Sequence, residues 1–110
     1  MRISIERTGG LAGITVTTTV DPEDLPPGEA KKLRQMLEDA DLFNLPAKIA
    51  SRSPQPDRFQ YELNLRDGGR QHTVLVSEEV MPAKLKPLVT LLMEAAKGKR
   101  KEKIKGKDSP

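Results

Sequence analysis

The segment from Phe59 to Val76 predicts a β-hairpin by itself, and this hairpin restricts the folds open to the chain. Apolar and polar residues alternate from Phe59 to Leu65, which is the period of a strand with one buried face. Asp67-Gly68-Gly69-Arg70 follows with residues that suit a tight turn. A two-residue loop at Gly68-Gly69 sets a register that pairs Leu65 with His72, Leu63 with Val74, and Tyr61 with Val76. Because apolar residues oppose one another in this register, the chain must contain an antiparallel sheet.

A second hairpin is predicted near the N-terminus. Ile3 and Ile5 alternate with polar residues, and alternation resumes over Ile14–Val20 after the glycine-rich run Thr8–Gly13. The prolines and acidic residues of Asp21–Pro27 then end the sheet, because proline cannot donate to a strand ladder and acidic charge is favourable near a helix start. Two strands joined by a glycine loop are therefore expected before the first helix.

Helical spacing of apolar residues appears twice. It predicts helices over residues 27–41 and 83–97, with Pro87 in the first turn of the second helix or at a kink. The residues that carry the two stripes are Ala30, Leu33, Leu37 and Ala40, and then Leu85, Leu88, Val89 and Leu92. The expected fold is α+β in the order ββαββα. Its four-stranded, mainly antiparallel sheet has the strand order 2-1-3-4, and both helices pack on one face.

The same order predicts which loops meet. If each element reverses direction, Thr8–Gly13, Asn44–Asp57 and Ser77–Met81 lie at one end of the sheet. Asp67–Arg70 and His72 then lie at the opposite end. The expectation depends on the proline-containing segment after the first helix staying at the end where that helix finishes.

Composition indicates one domain followed by a basic tail. Leu, Ile, Val and Phe make up about 24% of the 110 residues, enough for a modest aliphatic core. The core is expected within residues 1–96. Residues 97–110 carry seven Lys or Arg and two acidic residues, with almost nothing to bury. This composition predicts a disordered tail, with an arm that binds polyanions as the alternative.

The sequence argues against catalysis. His72 is the only histidine and there is no cysteine, so a zinc site or a nucleophile activated by histidine lacks its usual residues. Glu78 and Glu79 are adjacent and do not form the facing carboxylate pair of a glycosidase. We therefore expect no enzyme activity, no metal and no cofactor.

Partners and location follow from what the composition lacks. One tyrosine, two phenylalanines and no tryptophan provide no stacking platform for bases, so nucleic acid is an unfavoured partner. No apolar run has the length of a signal peptide or a membrane span. The chain is expected to be soluble, cytoplasmic and monomeric.

The run Thr8, Gly9, Gly10, Leu11, Ala12 and Gly13 allows two interpretations. A plain hairpin loop accounts for it, and composition alone favours that interpretation. However, three glycines and an alanine around one large apolar residue also suit a backbone that another surface approaches closely, with Leu11 as a single anchor. A leucine that folds back onto the end of the chain's own core is the alternative for Leu11.

Five segments together resemble the emfourin family, and the resemblance spans roughly residues 3–95. The segments are residues 7–14 (RTGGLAGI), 24–30 (DLPPGEA), 40–46 (ADLFNLP), 57–61 (DRFQY) and 67–74 (DGGRQHTV). Leu11 stands where phenylalanine is expected to be common in the family, which is a conservative change for an apolar pocket. Pro87 and the basic tail depart from the family pattern.

The resemblance implies a small cytoplasmic bacterial inhibitor of thermolysin-like zinc metallopeptidases such as protealysin. For such an inhibitor we expect the glycine run to enter the active-site cleft, with Asp57, Glu78 and Glu79 as candidate rim contacts that bring a carboxylate toward the enzyme's zinc. For these three residues the alternative is an ordinary surface charge. For the whole chain, the alternative function is a nucleic-acid or polyanion-binding module that uses the basic tail.

Overall fold

The computed structural model describes residues 1–10, 13–51 and 58–108. These residues form strands β1 (Arg2–Gly9), β2 (Val16–Val20), β3 (Lys48–Ile49), β4 (Phe59–Asp67) and β5 (Arg70–Ser77), and helices α1 (Pro27–Ala40) and α2 (Lys86–Asp108). The five strands make one sheet in the order β2-β1-β4-β5-β3. All neighbours are antiparallel except β3, which runs parallel to β5.

The predicted α+β class and the order of the four longer strands are confirmed. The count of four strands is wrong, and the element order is ββαβββα where ββαββα is predicted. The additional strand, Lys48–Ile49, pairs with Leu75–Val76. It lies in a segment whose prolines and serines predict a loop, and two residues are too short to show alternation. Its ladder also includes the hydrogen bond from Leu75 N to Ala47 O, at 2.8 Å. β3 is therefore recognised as a strand only by its pairing with β5.

The register of the β4–β5 hairpin is confirmed. Leu65 pairs with His72, Leu63 with Val74, and Tyr61 with Val76. Gly68 occupies the turn with a φ of 62°, a conformation that glycine adopts without strain. Matching apolar positions and a glycine turn thus act together to set the pairing.

Both helices pack on the same face of the sheet. One apolar cluster contains Leu33 and Leu37 from α1, Leu88 and Leu92 from α2, and inward residues of β1, β2, β4 and β5. The sheet residues in that cluster are Ile3, Ile5, Val20, Tyr61, Leu63, Leu65, Val74 and Val76. Alternate residues such as Thr17, Thr19 and Glu62 are exposed on the opposite face, so the sheet has one covered and one open face.

Both ends of α1 and the beginning of α2 lie close to their predicted bounds. Asp41, with a φ of 52°, ends α1 after Ala40. Pro87 lies in the first turn of α2, as predicted, and the preceding residues Ala83–Leu85 form a 3-10 turn. The bounds of α2 run to Asp108, and the disorder expected of residues 97–110 stays a prediction. Lys, Arg and Glu have favourable helix propensities, which allows the helix to extend beyond Ala96, the last buried residue among those with described side chains.

One predicted grouping of loops is wrong in part. The chain after α1 lies at the turn end of the β4–β5 hairpin, where His72 Nε2 donates to Leu45 O at 2.7 Å. The guanidinium of Arg70 also lies 3.8 Å from the Phe43 ring centre. The chain then crosses along β5 through β3, and Ser51 N donates to Ser77 Oγ at 3.3 Å. Asn44 is therefore at the opposite end from the glycine run, while Ser51 is beside the end of β5.

Candidate functional site

Four described stretches of the chain meet at the end of the sheet that carries the glycine run. We call this region the glycine end and define it by Thr8–Gly10, Gly13–Ile14, Arg58–Phe59 and Ser77–Val80. Gly9 pairs with Phe59 across β1 and β4, and Gln60 pairs with Ser77 across β4 and β5. The predicted proximity of Thr8–Gly13 and Ser77–Met81 is therefore confirmed for the described residues.

Two of the three glycines are required by contacts within the chain. A Cβ atom built on Gly9 would lie 2.5 Å from the Arg58 carbonyl oxygen, and one on Gly10 would lie 2.7 Å from the Phe59 ring. Gly9 and Gly10 have φ values of 91° and 78°. Gly13 also has a positive φ, 64°, but open space surrounds its Cβ position. Close approach by a partner is thus unnecessary to explain Gly9 and Gly10.

Hydrogen bonds hold both ends of the glycine run. Gly10 N donates to Arg58 O at 3.2 Å, and Gly13 N donates to Gly10 O at 3.3 Å. The second hydrogen bond holds Gly10 and Gly13, the described residues on either side of Leu11 and Ala12, close to each other. Leu11 and Ala12, the intervening residues, lie outside the described residues, and so does Asp57.

The Phe59 ring is the aromatic side chain on which the other residues of the glycine end pack. Its place in the alternating pattern of a strand does not predict these contacts. The Arg7 guanidinium lies 4.3 Å from the Phe59 ring centre, a cation–π contact. The ring also meets Tyr61 edge to face, with centroids 6.4 Å apart. Gly10 packs on the same ring. These contacts join the end of β1 to the beginning of β4.

The carboxylates of Glu78 and Glu79 each accept a hydrogen bond from a neighbouring segment. Glu78 Oε1 accepts from Phe59 N at 3.0 Å, and Glu79 Oε2 accepts from Ser51 Oγ at 3.3 Å. Both residues belong to a 3-10 turn, Glu78–Val80, that follows β5. The turn thus fastens the beginning of β4 and the segment after β3 to the end of β5. Glu79 is exposed, whereas Glu78 is partly buried.

Tyr61 is the one residue at this end with a shifted pKa among the described groups. Burial raises the pKa of Tyr61 above its ordinary value of 10.0, and the negative charge of Glu78 acts in the same direction. The charge of Arg7 and its hydrogen bond to Tyr61 act in the opposite direction on this pKa. The phenol therefore remains neutral at physiological pH and has a structural role in the core.

Exposed apolar side chains occur at the glycine end. Ile14 is 53% exposed and Val80 is 42% exposed. The alternation of residues 14–20 places Ile14 inside a strand on the buried face, but β2 begins only at Val16. That expectation is wrong, because the turn at Gly13 directs the chain away from the core before Ile14. An open groove of about 560 Å³ lies nearby, lined by Arg58, Tyr61, Glu78, Glu79 and α2 residues including Lys86.

The structure brings together part of the predicted site and adds residues to it. Thr8, Gly9, Gly10, Gly13, Glu78 and Glu79 occupy one end. Arg58, Phe59 and Ser51 join them, although the sequence analysis assigns none of these three residues to the site. His72 lies at the opposite end, opposite Leu65. Within residues 1–10, 13–51 and 58–97, no group of three or more His, Asp or Glu side chains could hold a metal ion.

Comparison with known proteins gives one family and no individual relative. No curated protein and no solved structure matches the chain significantly. In the described part of the chain, neither helix is long and apolar enough to cross a membrane. A family model described as Emfourin matches residues 5–93, which cover β1 through most of the packed part of α2. The chain therefore belongs to the emfourin family.

Proposed function

We propose that the chain inhibits a thermolysin-like zinc metallopeptidase by inserting its glycine end into the active-site cleft. The observation that supports this most directly is the family match over residues 5–93. Membership of the emfourin family supports inhibition of a metallopeptidase in general. The thermolysin-like target and the use of the glycine end are the parts that we add.

The rigidity of the glycine end supports its use as an inhibitory surface. An inserted loop that must become ordered on binding loses affinity, and a loop that fits as a good substrate is cleaved. The main-chain hydrogen bonds from Gly10 and Gly13, the Arg7–Phe59 contact and the Glu78–Phe59 hydrogen bond hold the base of this loop before any partner binds. A loop held in this way keeps its position in the cleft and does not adopt the geometry that the peptidase needs to cleave it.

Leu11 is proposed as the main affinity anchor, because thermolysin-like enzymes favour a bulky apolar side chain directly after the scissile bond. Burial of a leucine contributes about 1.5–3 kcal/mol, so Leu11→Ala should weaken inhibition about 10- to 150-fold while Leu11→Phe retains it. The test is an inhibition titration of both variants against a thermolysin-like peptidase, with melting temperatures measured alongside. An unchanged inhibition constant in Leu11→Ala, or a loss that unfolding explains, would refute the anchor.

Ile14→Ala is the matched control for Leu11→Ala. Ile14 is apolar, 53% exposed and three residues further along the chain, so its truncation removes similar apolar area at the same end. If one leucine anchors the complex, Ile14→Ala should change the inhibition constant by less than about threefold. Equal losses in the two variants would indicate a broad apolar contact.

The rim contacts of Asp57, Glu78 and Glu79 are tested by their amide variants. A carboxylate that contacts the enzyme's zinc loses its charge in Glu79→Gln or Asp57→Asn, and inhibition should then weaken markedly. Glu78→Gln retains an oxygen that can accept from Phe59 N, so it removes the charge with little change in the fold. Inhibition that is unchanged in all three variants would leave these residues as surface or structural charges.

Resistance to cleavage separates an inhibitor from a slow substrate. The full chain is incubated with active peptidase and its mass is measured over time. We expect the intact mass to persist, and rapid scission between Gly10 and Leu11 would contradict the proposed mechanism.

Polyanion binding by the basic tail remains the alternative function. It predicts binding to a DNA duplex that weakens steeply with salt and disappears when residues 97–110 are removed. Peptidase inhibition should survive the same truncation, since the family match ends at residue 93. Loss of inhibition together with the tail would contradict our assignment of the binding surface.

A further inference from the structure

The outer edge of β2 is an unprotected strand edge. β2 is the first strand in the sheet order, and within residues 1–10, 13–51 and 58–108 its only strand partner is β1. Exposed edges are usually guarded by lysine, proline or a bulge. No charged residue and no proline occurs between Arg7 and Asp21, and β2 itself reads Val-Thr-Thr-Thr-Val. Each of its residues is β-branched and suits strand pairing.

The sequence of β2 is the same in both directions, which suits pairing with itself. We propose that two copies of the chain form a dimer by antiparallel pairing of their β2 strands, with Thr18 on the two-fold axis. Val16 then pairs with Val20 of the second copy, and Thr17 with Thr19 of the second copy. Both are like-with-like pairs, and opposed threonines are favourable cross-strand neighbours. The two five-stranded sheets become one continuous sheet of ten strands.

The Thr18 hydroxyl supports this register independently. Thr18 is 7% exposed, and its Oγ1 atom is buried with no hydrogen-bond partner among the described residues. A buried hydroxyl without a partner is unfavourable. Directly opposed Cβ atoms in an antiparallel pair lie about 4.5–5.5 Å apart, so the two Thr18 hydroxyls at the axis can bond to each other once χ1 rotation turns each Oγ1 atom from its own chain toward the second copy. The dimer thus satisfies a group that the single chain leaves unsatisfied.

The proposed dimer also covers the exposed side chain of Ile14. Extending the register by two residues places Ile14 beside Asp21–Pro22 of the second copy. Next to that position is a groove of about 520 Å³ whose apolar lining includes Leu25, Leu91 and Ala95. If pairing with the second copy extends β2 back to Ile14, this residue takes the strand parity of Val16 and turns to the side on which the helices lie. Each copy therefore covers the exposed isoleucine of the other.

The dimer is tested by the mass of the protein in solution. Light scattering after size-exclusion chromatography should give twice the 12.2 kDa of the single chain, and dilution should dissociate it. Thr17→Lys combined with Thr19→Lys places two like-charged pairs across the interface while both side chains remain on the open face. This variant should be monomeric, and Ile14→Ala should raise the dissociation constant about 10- to 100-fold.

Gln60→Lys combined with Gln71→Lys is the matched control. It adds the same charge on strands away from the β2 edge and should remain dimeric. A parent chain that is monomeric at every concentration up to about 1 mM would overturn the proposal. A dimer that the Thr17 and Thr19 lysines leave intact would overturn it as well.

Cysteine cross-linking tests the register, because the chain has no native cysteine. Thr18→Cys places two Cβ atoms directly opposite each other at the axis, about 4.5–5.5 Å apart, so that a shift of the edge strands by about 1 Å or less allows mild oxidation to give a disulfide-linked dimer. Thr19→Cys places its thiols on a diagonal about 7–8 Å apart, beyond the Cβ separation of about 3.5–4.5 Å that a disulfide needs. Efficient linkage of Thr19→Cys with none of Thr18→Cys would overturn this register. Because mass and cross-linking are measured without peptidase, the result is independent of the proposed inhibition.

Discussion

Gly9→Ala and Gly13→Ala form a matched pair that measures how tightly the glycine run is held by its own chain. Both glycines have positive φ values, 91° and 64°, and an alanine in such a conformation costs about 1–2 kcal/mol. Their surroundings differ, because Gly13 has no atom within 4 Å of a Cβ position. Gly13→Ala should therefore lower the free energy of unfolding by the conformational cost alone.

Gly9→Ala carries an additional steric cost. Its Cβ would lie 2.5 Å from the Arg58 carbonyl oxygen, whereas ordinary contact begins at 3.4 Å, so the two strands must separate by about 0.9 Å. That oxygen also accepts the hydrogen bond from Gly10 N, and loss of this bond costs about 1 kcal/mol. We expect Gly9→Ala to lower the free energy of unfolding by about 2–4 kcal/mol in total.

The free energy of unfolding and the Tm of the parent chain, Gly9→Ala and Gly13→Ala are measured by urea denaturation and thermal melting. Gly9→Ala should be at least about 1 kcal/mol less stable than Gly13→Ala, which corresponds to a Tm lower by about 4–8 °C. Equal losses in the two variants would show that backbone conformation alone requires these glycines. In that case the packing of the glycine run on Arg58 would not contribute to stability.

Three further predictions concern the glycine end and the tail. Glu78→Ala leaves the Phe59 N–H without its acceptor and should lower the free energy of unfolding by about 1–3 kcal/mol, whereas Glu78→Gln should lower it by less than about 1 kcal/mol in the same urea assay. The pKa of Tyr61 is raised above 10.0 in the folded chain, so the unfolded chain loses that proton first and stability falls as the pH rises through 10. Tyr61→Phe should remove this part of the alkaline loss, measured by denaturation between about pH 8 and about pH 11. Truncation after Ala96 should change the free energy of unfolding by less than about 0.5 kcal/mol, since Ala96 is the last buried residue among those whose side chains are described. A larger loss would show that the helical extension contributes to the domain.

Local patterns in the sequence determined the sheet and the helical stripes. The alternation from Phe59 to Leu65 and the Gly68-Gly69 turn carry enough information to set the β4–β5 register, because side-chain periodicity and turn length constrain the same pairing. Apolar spacing likewise identified the buried faces of α1 and α2, including Leu33, Leu37, Leu88 and Leu92. Sequence comparison also identified the emfourin family, to which the chain belongs.

Tertiary structure decided the features that depend on segments distant in sequence. β3 exists only because Lys48–Ile49 lies beside β5, and the end at which Asn44 lies depends on the route of the chain after α1. The need for glycine at Gly9 and Gly10 also depends on the fold, because Arg58 and Phe59 approach these residues only when β1 and β4 pair. Ile14 follows a strand pattern in sequence, yet it is exposed because the Gly13 turn delays the start of β2. Short-range periodicity specifies which face of an element is apolar, and only the packing of distant segments determines which surfaces remain open to a partner.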